Sequence, residues 1–84
     1  MNARESYTSR KRDVAAVLDW LKLELDKHAE YAEKKGVDWA HCGDLGHVRE
    51  KLIETLAFLA QRDERDIEMS LEDGRTSVAA GKGG

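Results

Sequence analysis

Apolar and polar positions follow a helical period along two stretches of this chain, residues 13–35 and 45–71. In the first, Val14, Leu18, Leu21, Leu25, His28 and Ala32 recur at spacings of four and three, the repeat of a packed helical seam. Val17, Trp20 and Tyr31 extend that seam along one flank. At about 100° per residue the apolar arc reaches roughly 180°, interrupted by Glu24. In the second stretch Val48, Leu52, Leu56 and Leu59 form a seam, and Ile53, Ala57 and Ala60 widen it to a similar arc. Phe58 and Met69 fall on the other side. A helix covering one core needs an arc of only about 100°. Both faces are therefore wider than a pair of helices can bury by itself.

The ends of these helices follow from local chemistry. Lys34 and Lys35 suit the negative end of a helix dipole, Gly36 suits the residue after the last turn, and Val37 is placed to pack back. Thr8 or Ser9 is expected to cap the first helix, which makes residues 1–12 a flexible, polar arm. Asp44 is expected to cap the second, which leaves 36–44 as a loop. The polar run 61–66 favours a continuing helix with a weak point near Asp63. Its alternatives are a kink, or a restart capped by Asp63 that folds 67–71 back as a third helix. Residues 74–84 are small and polar enough to read as a flexible tail.

The expected architecture is all-α: a two-helix antiparallel hairpin over 13–73 that dimerises into a four-helix bundle. Each Leu, Ile or Val side chain contributes on the order of 1.5–3 kcal/mol when fully buried. Self-association recovers what a lone hairpin leaves wet. Val14, Leu18, Leu21, Leu25, His28, Leu52, Leu56 and Leu59 are the expected assembly residues.

Composition removes several alternatives to assembly. Cys42 is the single cysteine among 84 residues, so no disulfide within the chain substitutes for a core. Its solitary thiol fits a reducing, cytoplasmic setting. The first residues lack the apolar core of a secretory signal, and no run approaches the roughly 20 apolar residues of a membrane span. A formal charge of −3 argues against a general nucleic-acid binder. Arg10, Lys11 and Arg12 form a local basic cluster suited to an acidic partner or a phosphate. A DNA-reading helix-turn-helix joins short helices by three or four residues, which the expected nine-residue loop does not resemble.

Little in the chain suggests catalysis. Cys42 beside His41 lacks any sign of a cleft or an oxyanion hole, so no enzymatic activity and no cofactor are expected. The competing reading is a metal- or small-ligand-binding bundle using His41, Cys42 and His47, three potential ligands gathered in one short segment. Their spacing matches no established zinc pattern, and Asp44 is better used as a cap. Trp39, beyond the helix stop, and Phe58, off the seam, are the candidates for binding a protein partner.

Overall fold

The computed structural model describes the backbone of residues 2–83 and the side chains of residues 2–75. Three helices run in chain order: α1, Ala3–Lys35; α2, Trp39–Ala60; and α3, Glu64–Gly83. The all-α class is as expected, and the described residues contain no strand. Two helices had been expected, and three are found. They divide into two compact units, Met1–Asp38 and Trp39–Gly84.

The first unit is built on α1, which starts ten residues before the expected position. Neither Thr8 nor Ser9 caps it. Asn2 does, with extended backbone and its Oδ1 accepting from the Glu5 N–H at 2.8 Å. The reason is cooperativity. Residues 3–12 contain no glycine or proline, and adding a residue to an existing helix costs far less than starting one. The extension brings Tyr7 onto the seam, seven residues before Val14. At the other end Gly36 stops the helix as expected, with φ +89° and ψ +120°. That ψ carries the chain outward. Val37 consequently remains exposed and does not pack back.

The second unit holds α2 and α3. The expected loop shrinks to residues 36–38, because Trp39 already begins α2. Asp44 is an interior helical residue, not a cap, and Gly43 and Gly46 lie within the helix. Each glycine costs about 1 kcal/mol relative to alanine there. That is a tax on a helix, not a stop signal, and no proline adds to it.

The expected continuation through Asp63 does not occur. Gln61 adopts φ +55°. Its N–H reaches the Phe58 carbonyl at 3.4 Å, and the Arg62 N–H reaches that of Ala57 at 3.0 Å. This pair of bonds is a Schellman motif, which satisfies the last carbonyls of α2. Asp63 then caps α3, its Oδ1 accepting from the Arg65 N–H at 3.1 Å. Reversal at 61–63 brings α3 back onto α2. Ile53 and Ile67 are buried, and Arg49 meets Glu68, nineteen residues later. The backbone of α3 is helical across most of the stretch expected as a tail, whose last residue, Gly84, lies outside the described residues.

Candidate functional site

The prominent surface features are apolar stripes left open by the helices that carry them. On α1, Val14, Leu18 and Leu25 remain exposed, Leu21 and His28 are half-buried, and Ala32 is buried. Tyr7, not anticipated on the seam, is 69% exposed. The 4-3 repeat alone would have placed it there had the helix been read from residue 3. On the flank, Val17, Trp20, Leu21 and Glu24 outline a shallow hollow. These positions are spaced i, i+3, i+4, i+7, the diamond of side chains that accepts a knob from another helix. Glu24 orders its rim. Its Oε2 accepts from Trp20 Nε1 at 3.1 Å and lies 3.3 Å from Lys27 Nζ. The indole bond, then the lysine, holds the Glu24 carboxyl below its ordinary range.

On α2 the division is sharper. The helix turns Ile53 and the half-buried Ala57 inward, with Arg49 on the same i, i+4 line. The small Ala57 permits a close approach. About a quarter turn away, Leu45, Leu52, Leu56 and Leu59 form a second stripe. All four are exposed, Leu59 at 75%. The leucines expected to seal an interface are thus available for one.

Arg49 and Glu68 form a bidentate pair, Nη1 to Oε1 and Nη2 to Oε2, each 2.7 Å. Hydrogen bonding to Glu68 raises the arginine pKa, and the same bonds lower that of the glutamate. The fork geometry fixes how α3 lies on α2 more than it stabilises the pair, because both side chains are about half exposed. Sequence reading missed this pair. No local pattern marks it until the turn at 61–63 is known.

Trp39 is the first residue of α2 and 88% exposed; Phe58, near its end, is 83% exposed. Both are open to solvent. The structure places His41 and Cys42 on helix, not loop, together with His47, which was expected in the first turn of the second helix. At 3.6 residues per turn they leave the axis about a third of a turn apart. Among the described residues no group of three histidine, cysteine or acidic side chains converges on a metal position. Cys42 is an exposed thiol.

The turn between α2 and α3 has the length used in DNA-binding helix pairs. The charge of α3 is wrong for that use. Across residues 63–75, Asp63, Glu64, Asp66, Glu68, Glu72 and Asp73 outnumber Arg65 and Arg75, a balance that repels phosphate. Among the described residues no helix is long and apolar enough to cross a membrane. Compared with known proteins, the chain matches no family model, and no curated protein or solved structure matches it either.

Proposed function

We propose that this protein is a non-enzymatic protein–protein interaction module, a small regulator or adaptor, that acts as a homodimer. The observation that carries the reading is the exposure of leucine stripes on helices that are otherwise well formed. Leu18 and Leu25 on α1 and Leu52, Leu56 and Leu59 on α2 all remain exposed. Buried apolar side chains among the described residues are Ala32, Ile53 and Ile67. Contiguous stripes of this kind mark interaction surfaces, unlike scattered single leucines. Completing the burial of these five leucines in each copy, most of them about half exposed, returns free energy of the same order as the roughly 4–15 kcal/mol lost in association. A helical bundle made from two copies, four-helix or larger, is the architecture that uses them.

Trp39 and Phe58 supply the second half of the reading. They lie off the leucine stripe of α2, so assembly through that stripe leaves them for a different protein. Large aromatics presented this way are the residue type that dominates binding energy in protein interfaces. The placement of His41, Cys42 and His47 around a helix gives no comparable support to a metal site within one chain.

Light scattering coupled to size exclusion at micromolar concentration tests the assembly. The expected mass is twice the 9.5 kDa of the chain. A stable 9.5 kDa species across that concentration range would sink the homodimer.

A further inference from the structure

We infer that α1 pairs antiparallel with α1 of a second copy, about a two-fold axis near Ala16; this rests on the self-association proposed above and specifies its geometry. Three observations lead here. The seam keeps a heptad spacing from Tyr7 to Leu25: Tyr7, Val14 and Leu21 alternate with Lys11, Leu18 and Leu25. That is the repeat of a two-stranded helical coil, and a single lysine on such a seam is a known device for fixing register. Exposure confines the open part of the seam. Tyr7, Val14, Leu18 and Leu25 are 48–69% exposed, whereas Ala32 is 5% exposed. The surface that needs covering is therefore centred in the first two-thirds of α1. A pairing of residues 4–28 with the same segment spans about 37 Å and covers it.

Charge then selects the orientation. Between residues 4 and 12, Arg4, Arg10, Lys11 and Arg12 stand against Glu5 alone. Between 24 and 33, Glu24, Asp26, Glu30 and Glu33 stand against Lys27 alone. A parallel pair would place two basic ends, and two positive helix-dipole ends, side by side. An antiparallel pair sets each basic segment beside the acidic segment of the other copy. With the axis near Ala16, Val14 meets Leu18 of the second copy and Tyr7 meets Leu25. In that register Arg10 lies within about half a turn of the second copy's Glu24, and Arg4 comes level with the stretch between Asp26 and Glu30. The Val14–Leu18 and Tyr7–Leu25 layers then share one seam, crossed between them by Lys11 opposite Leu21 of the second copy, and the basic cluster finds its acidic partner in another copy of the same chain.

Disulfide trapping in the full chain tests this, with Cys42→Ser as background so that the native exposed thiol does not react. Tyr7→Cys and Leu25→Cys are prepared separately, oxidised alone, and then oxidised as a mixture. The expected result is a linked dimer that forms from the mixture and joins position 7 to position 25, identified by mass mapping. Links of 7 to 7 or 25 to 25 from the single variants overturn the antiparallel arrangement. So does a mixture that keeps a dimer mass without forming 7-to-25 links. A monomeric mass for the Cys42→Ser chain itself refutes self-association, which is a separate failure. A charge-exchange series provides an independent reading that leaves the seam untouched. Arg10→Glu with Arg12→Glu, and Glu24→Arg with Asp26→Arg, should each weaken dimerisation about tenfold by sedimentation equilibrium. All four changes together should restore it. Additive weakening in the fourfold variant overturns the proposal.

Discussion

The two compact units use similar apolar stripes in different ways. In α1 several bonds are local: Asn2 to Glu5, Trp20 and Lys27 to Glu24, and Lys35 over the Tyr31 ring at 5.9 Å. The helix persists because 33 residues are well beyond the length at which helices become self-sustaining. In the second unit, elements distant in sequence are tied together by Ile53, Ile67 and the Arg49–Glu68 fork. One unit gains order from length, the other from a turn and a tertiary contact. What they share is the leucine stripe each leaves in water. The difference teaches that local helical order and burial are separable here, and that burial is what the proposed assembly would supply.

The comparison breaks most severely at Ile53. Ile53→Ala removes one of the two isoleucines between α2 and α3 and is expected to destabilise that unit by about 2–4 kcal/mol. Hydrogen exchange followed by mass spectrometry should show protection falling in 39–75 with little change in 3–20. Equal loss in both regions would show that the units do not unfold separately. A smaller effect, of opposite sign, comes from Gly43→Ala and Gly46→Ala. No atom lies within 4 Å of a Cβ at either position, so each change should stabilise α2 by about 0.5–1 kcal/mol. Thermal melts followed by circular dichroism measure this, and a lowered midpoint in both variants would contradict the open surroundings of these glycines.

The smallest expected effect is on acid titration. Glu68 has its pKa lowered in the folded state by the Arg49 bonds. Its contribution is therefore fully present above the ordinary glutamate value of 4.5 and is lost as pH falls through the lower folded value. Replacing Arg49 by glutamine should flatten that part of the stability–pH curve and leave the curve above pH 6 nearly parallel to that of the parent chain. An unchanged acid limb would remove the fork from the account of how α3 is held.

Much of this architecture was legible in the residues because helical periodicity is a strong, redundant signal. The seams of Val14 to Leu25 and Leu52 to Leu59 followed from it, and the stop at Gly36 followed from its capping chemistry. The helix boundaries did not. Gly43 and Gly46 look like loop residues, yet their cost is smaller than the cooperative gain of extending α2 to Trp39. Asn2, not Thr8 or Ser9, caps α1 because nothing between them interrupts the helix. The turn at 61–63 was one of several readings. Arg62 and Asp63 are common on any polar helix, and a left-handed glutamine has no local signature. The Arg49–Glu68 fork became visible only after that turn.

Gln61 has a consequence for the order in which the molecule assembles. A glycine at this position would let the reversal form by itself, since it occupies positive φ without a clash. A glutamine there is disfavoured by roughly 1 kcal/mol, and the straight helical alternative is always open to it. The bend is therefore conditional. The Schellman bonds and the Asp63 cap support it locally, and it is completed when Ile67 has found Ile53 and Glu68 has found Arg49. The hairpin should accordingly be secured by its contacts, with α2 already helical when α3 arrives.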